Sequence, residues 1–177
     1  LYNYAKTVQE GEKAAGNPNF VGGVVRGHPT QAAGLTHGSI AAAYAKNTDH
    51  HYDFVITQDC KFKSVVNDPA LVDVMTKYIA TMKDYGPIGW TSVVWYDAQG
   101  LFCTGNYGFF ADCDFFASTY EDPSMSQVAG KARYTYLPRP KGGEPYSNGM
   151  TWALGISAAS RRKGPAWYLI QFMSSPA

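Results

Sequence analysis

Residues 105–138 read GNYGFFADCDFFASTYEDPSMSQVAGKARYTYLP, and this stretch sets concentrated polar chemistry beside dense aromatic sequence. Gly105 is suited to stop a preceding helix, because a residue without a Cβ takes up positive φ without penalty. Tyr107–Ala111 then predicts a short buried strand: it is apolar, aromatic and fenced by glycine. Asp112 and Asp114 follow where that strand ends, with Phe115 and Phe116 next to them. Strand ends in α/β sheets open onto crevices, so a carboxylate with aromatic neighbours there is a candidate ligand contact. The alternative is an aspartate that caps the next short helix, with both phenylalanines in the core.

Working outward, a second polar cluster stands at the end of a second candidate strand. Phe20–Val25 is β-branched with two glycines and predicts a buried strand that delivers Arg26-Gly27-His28-Pro29 at its C-terminal end. Arg26 offers a permanently charged fork of donors to a ligand. Its alternative is an ion pair with a surface carboxylate. His28, a lone histidine beside a proline, reads as turn chemistry unless a ligand lies there.

The helices around these segments are legible from spacing. Leu1, Tyr4, Ala5 and Val8 recur at helical steps, and Gly16-Asn17-Pro18 ends that element. Gln31–Ala45 is alanine-rich with Gly34 and Gly38 and predicts a closely packing helix, each glycine costing about 1 kcal/mol against alanine. Asn47–His51 reads as a polar turn and Tyr52–Ile56 as a short strand. His50 and His51 are adjacent, so they cannot form a helical metal pair and are read as solvated. In Pro69–Tyr85 a stripe of Leu71, Val74, Met75, Tyr78, Ile79 and Met82 recurs at three- and four-residue steps, with Asp68 as N-cap and Gly86-Pro87 as the stop. Burying each such side chain is worth roughly 1.5–3 kcal/mol, which marks the stripe as core. Gly86–Ser92 is a loop carrying Trp90. Trp95–Cys103 predicts a short helix with Ala98, Leu101 and Phe102 inward, and Trp95 is read as stapling it to a neighbour, with ligand stacking as the alternative. Arg133–Leu137 alternates as a half-buried strand does. Pro138–Asn148 is a Pro/Gly-rich loop without a phosphate-binding glycine pattern. Thr151–Ile156 reads as a strand with Trp152, and Pro165 opens a last helix with Ala166, Leu169, Ile170 and Met173 on one side. Helices and strands alternate, which argues an α/β layered fold.

Composition narrows the function. The 177 residues suit one medium domain, or one plus part of another, and 13 Tyr, 9 Phe and 4 Trp are ample for a core. A net charge of +1 gives no electrostatic footprint for nucleic acid or an acidic membrane surface. No apolar run approaches the roughly 20 residues that cross a bilayer. The chain opens at Leu1 inside a helical pattern, without an initiator methionine or a basic-then-apolar leader, so a fragment of a mature protein is expected. Cys60, Cys103 and Cys113 cannot all pair within one chain and lie in no metal-binding spacing; buried thiols are expected. No metal or cofactor is expected.

Three runs together carry a family resemblance: FKSVVNDPALVDVMTKYIATMKDYGP at 62–87, GNYGFFADCDFFASTYEDPSMSQVAGK at 105–131 and LPRPKGGEPYSNGMTWALGIS at 137–157. In order and spacing the chain resembles extracellular solute-binding proteins of sugar ABC transporters, in the maltose-binding-like group (family 1) and particularly its sugar and polyol binders. The resemblance runs from about Phe20 to the end. It implies an α/β periplasmic-binding-protein-like lobe whose central, mostly parallel sheet is flanked by helices. Residues 1–150 would form a C-terminal-type lobe, 151–157 a segment crossing between lobes, and 158–177 a helix of the other lobe. It further implies a non-catalytic receptor in the periplasm or cell envelope, with a sugar or polyol as ligand and permease subunits as partners. Carried over by position, the ligand contacts fall on Arg26 and His28, on Asp112 and Phe115, and on Asn148, Gly149 and Trp152. The chemistry is coherent, since sugar hydroxyls need charged or amide partners and the C–H face suits a ring.

Two rivals arise from the same residues. One is a carbohydrate-active hydrolase using Asp112 with Asp114 or Glu121 as a carboxylate pair, which needs about 5–5.5 Å between carboxyls for retention or ~6.5–9.5 Å for inversion. The other is a stand-alone interaction domain that binds no sugar.

Overall fold

A computed structural model describes residues 1–29, 50–51, 54–56, 61–64, 67–137 and 153–175. The expected helix at 31–45 and the loop at 138–148 lie outside the described residues.

The organising helix, α2, is Pro69–Tyr85, with α1 at Tyr2–Ala14 and α3 at Trp95–Cys103. Helix α2 starts where its sequence signals place it: the Val72 N–H donates to the Asp68 carbonyl at 2.9 Å. Its inward face is Val74, Tyr78, Thr81 and Met82. Ile79, expected inward, is 47% exposed, and Thr81 takes the inward position instead. A 3.6-residue period places 74, 78, 81 and 82 on one side. Thr81 tolerates burial because its hydroxyl donates to the Lys77 carbonyl at 2.7 Å. Helix α1 lies against the end of α2: the Tyr2 hydroxyl donates to Asp84 Oδ2 at 2.9 Å, and the Tyr2 and Tyr85 rings meet edge-on at 5.1 Å.

Between α2 and α3 run the two segments expected as buried strands. They pair in parallel through single bridges, Val21 with Tyr107 and Val24 with Phe110. Their side chains alternate between two helical layers. Val25 and Phe109 pack with Val74, Tyr78 and Met82 of α2, whereas Val24 and Phe110 pack with Val93, Ala98 and Leu101 on the α3 side. A segment covered on both faces reads as a continuous apolar run, which is why no alternation shows in Phe20–Val25. Gly105, at φ 81°, ends α3 and turns the chain into the second segment.

The sheet proper is elsewhere. His50–His51 (β1), Phe54–Ile56 (β2) and Phe62–Ser64 (β3) form an antiparallel meander, with His50 opposite Val55 and Val55 opposite Lys63. The polar turn expected at 47–51 is therefore corrected at its end, where His50–His51 is a strand, and β3 is an addition to the expected elements. Parallel pairing among the described residues consists of the two bridges. Two further strand expectations fail. Residues 133–137 are irregular and mostly exposed, and of the strand expected at Thr151–Ile156 the described part, 153–156, is irregular. In the first, Leu137 packs on the Val25 cluster, and the Tyr134 hydroxyl donates to Glu121 Oε1 at 2.8 Å, while Tyr134 and Tyr136 stay exposed.

The last helix, α4, is Lys163–Ser174 and buries no side chain among the described residues. Trp167, Tyr168, Leu169, Phe172 and Met173 are all exposed.

Candidate functional site

Both parallel bridges join residues 86 apart in the chain, and Arg26 and Asp112 are also 86 apart. The register thus carries past the bridges and sets these two side chains next to each other at the ends of their segments. Arg26 Nε donates to Asp112 Oδ2 and Arg26 Nη2 to Oδ1, a side-on bidentate pair. The arginine and aspartate side chains are 4% and 1% exposed. The Cys113 N–H also donates to Oδ1, at 2.8 Å. Burial works against the arginine's charge, but the bonds and charge of Asp112 outweigh it and raise the pKa of Arg26 further.

Three more groups surround the pair. Arg26 Cζ lies 5.5 Å from the centre of the Trp95 ring, a cation–π contact. The Tyr78 hydroxyl donates to the Arg26 carbonyl at 2.7 Å, tying the segment end to α2. Cys113 Sγ is 3.6 Å from Arg26 Nη2; burial is the main cause that pushes this thiol's pKa up. Beyond the arginine, the N–H groups of Gly27 and His28 both donate to the Val93 carbonyl, at 2.9 and 3.0 Å. His28 is half-buried there.

Asp114–Phe116 forms a 3₁₀ turn leading into a one-turn helix, Ala117–Tyr120. The phenylalanine pair divides. Phe116 is buried against Cys103 and Tyr120, while Phe115 is 60% exposed beside it, ring centres 4.8 Å apart. So Arg26 and Asp112 come together at one end of the two segments, and Phe115, three residues past the aspartate, is open to solvent. Asn148, Gly149 and Trp152 lie outside the described residues. Spacing alone does not reveal Trp95, Tyr78 or Cys113 as parts of the cluster; the one hint is an aromatic residue at the first position of α3.

The surroundings of Asp112 and Glu121 do not favour a hydrolytic pair. Both oxygens of Asp112 are already taken by the guanidinium. Glu121 accepts from the Gly130 N–H at 2.9 Å and from Tyr134, and these bonds hold its carboxyl below the ordinary range, opposite to what a general acid needs. Among the described residues no cluster of His, Cys, Asp or Glu is arranged to hold a metal ion, and no helix is long and apolar enough to cross a membrane. Cys103 and Cys113 are free thiols, the first buried and the second half-buried. An open hollow of about 520 Å³ over Ser92, Val93, Tyr96, Asp97, Gly100 and Leu101 includes none of the expected contact residues.

Among the described residues one buried side-chain polar atom is orphaned. The Tyr120 hydroxyl, under Phe102 and Phe110, finds no hydrogen-bond partner among the described residues, and burial pushes its pKa up. Removing an unsatisfied buried hydroxyl while keeping the ring relieves a desolvation cost. Tyr120→Phe is therefore expected to stabilise the fold by about 1 kcal/mol, read as a rise of roughly 2–4 °C in Tm. A fall in Tm would show that the hydroxyl has a partner after all.

No protein-family model matches the chain. Among curated proteins it is 34% identical over 89 residues to a mannitol-binding protein of Pseudomonas aeruginosa, covering 50% of this chain and 20% of that protein. It is 30% identical over 101 residues to an erythritol/L-threitol-binding protein of Mycolicibacterium smegmatis, covering 57% of this chain and 21% of that one. Two solved ABC transporter solute-binding proteins superpose with a TM-score of 0.73 at 23% identity. The one from Agrobacterium vitis S4, with bound D-mannitol, matches over 98% of this chain and 39% of its own. The one from Agrobacterium radiobacter K84, in complex with ribitol, matches over 97% and 40%. The described chain therefore has the fold of part of a solute-binding protein, and it spans about a fifth of the curated relatives and two fifths of the solved chains.

Proposed function

We propose that this chain is part of an extracytoplasmic receptor that captures a polyol, or a sugar of similar size, in a cleft between two lobes and presents it to the permease subunits of an ABC importer. The observation that carries the reading is the closure of Arg26 on Asp112 at the ends of two parallel-bridged segments, the position at which open α/β layers bind ligands, with the exposed Phe115 three residues further on. Curated relatives named for mannitol and erythritol or L-threitol point to the same ligand class. In this reading 1–150 form a C-terminal-type lobe of the maltose-binding-like group, and the two bridges belong to its mostly parallel sheet. Residues 151–157 cross between lobes, and 158–177 supply a helix to the other lobe, where the exposed aromatic face of α4 would be covered. Arg26, oriented by Asp112, and His28 meet hydroxyls, Phe115 lies against a C–H face, and Asn148, Gly149 and Trp152 contribute from the crossing. Closure of the lobes traps the ligand and gives the permease one shape to recognise.

Calorimetric titration of the complete protein with D-mannitol, ribitol, erythritol and maltose tests the proposal. Binding of at least one polyol is the expected result, and no heat with any of them would refute it. Phe115→Ala is expected to weaken the best ligand about fivefold to tenfold, the worth of one ring contact, with little change in Tm because the ring is already exposed. Unchanged affinity would remove Phe115 from the site.

A further inference from the structure

We infer that Trp95 is a positioning residue for ligand capture: it fixes the tilt of the Arg26 guanidinium and so the direction in which its remaining donors point. The inference rests on the proposed function and adds a residue that the position-by-position comparison with the family did not select. Asp112 engages Nε and Nη2, which anchors one edge of the guanidinium. Nη1 takes no part in that pair, and a guanidinium carries two N–H donors there. An edge contact alone leaves a soft motion, the swing of the plane about the line through Nε and Nη2, and that swing moves Nη1 furthest. A flat ring 5.5 Å from Cζ opposes it.

Trp95 is itself held. It is the first residue of α3, its ring meets Phe116 edge-on at 5.9 Å, and it packs against the cluster of Cys103, Phe116 and Tyr120. Because only 4% of the arginine side chain reaches solvent, a small tilt decides whether a ligand hydroxyl finds a donor or a closed surface. The indole thus acts through Arg26 and need not touch the ligand.

The test compares Trp95→Leu and Trp95→Phe with the wild type in the complete protein, using D-mannitol as probe and the Arg26 Nε–H resonance as a ligand-independent readout. The resonance is assigned by its loss in Arg26→Lys. A ring current displaces it in the wild type; the displacement is expected to persist in reduced form with Phe and to vanish with Leu. D-Mannitol affinity is expected to fall about tenfold with Leu and no more than about threefold with Phe, the range a partly desolvated cation–π contact supports. Trp95→Met, bulky but without a π face, replaces the leucine variant should that one not fold. Wild-type affinity in a folded Leu or Met variant overturns the inference, as does an undisplaced wild-type resonance. Absence of polyol binding by the wild type overturns the proposed function instead and leaves the resonance to decide whether Trp95 holds Arg26.

Discussion

Asp112→Ala is expected to destabilise the protein by about 3–5 kcal/mol, because it leaves a guanidinium buried without its counter-charge. The side chains of the pair are 4% and 1% exposed, so water cannot take over the carboxylate's place without opening the fold. The loss is read as a lower urea midpoint at unchanged slope. A control separates the cost of a stranded charge from the worth of the pair. Replacing both partners with apolar residues of similar volume, Arg26→Met with Asp112→Leu, removes the charge along with its partner. The double variant is expected to recover most of the lost stability, since a buried pair and a well-packed apolar substitute are often nearly equivalent. Stability within about 0.5 kcal/mol of wild type in the single variant would place the pair among exposed salt bridges, which contribute little. The double variant also bears on function: a fold that is restored while polyol binding is lost assigns the ion pair to recognition rather than to architecture.

Gly27→Ala is the second large effect. A Cβ at this position would stand 1.9 Å from the carbonyl oxygen of Trp90 and 2.6 Å from its carbonyl carbon. Both are backbone atoms, so no side chain can swing aside to relieve that contact. The approach is close because the Gly27 and His28 N–H groups share the Val93 carbonyl, which pins the end of the first segment onto the 3₁₀ turn Trp90–Ser92. Relieving the clash pushes that turn away and strains the Trp90 contact with Tyr78, whose hydroxyl holds the Arg26 carbonyl. Overpacking of this kind costs on the order of 3 kcal/mol, measured as a drop in Tm or urea midpoint. Gly100→Ala in α3 is the matched control. Nothing lies within 4 Å of its Cβ, and alanine favours the helix by up to about 1 kcal/mol, so a rise is expected there. A Gly27→Ala variant as stable as wild type would mean that the segment end is not seated on this turn.

Much of the scaffold is legible in the sequence. Helix α2 is marked by its stripe and its stops, α3 by its inward residues and by Gly105, and the two central segments by their apolar runs. The departures are of one kind. Ile79 and Thr81 exchange roles because hydrophobicity alone defines the stripe, whereas burial follows angular position and a threonine can satisfy its own hydroxyl on the preceding turn. Residues 133–137 alternate as a strand does, but among the described residues no segment pairs with them and both tyrosines stay exposed. The site is half legible. Arg26 and Asp112 each stand out as polar groups at strand ends, and the alternative weighed for Arg26, an ion pair, is what the structure contains, though buried and with Asp112 itself. Neither stretch alone reveals that these two are partners, or that Trp95 lies beneath them.

Terms that act within a few residues of chain are determined by the sequence itself: caps, stops, helical period and the apolar character of the central segments. Tertiary structure alone decided the parallel register that joins positions 86 apart, the closure of Arg26 on Asp112 and the division of Phe115 from Phe116. The physical reason is range. A cap or a helical stripe is settled by neighbours three or four residues away, whereas the partner of a buried charge is settled by which segments share a layer, and that is fixed only when two helices close over both faces.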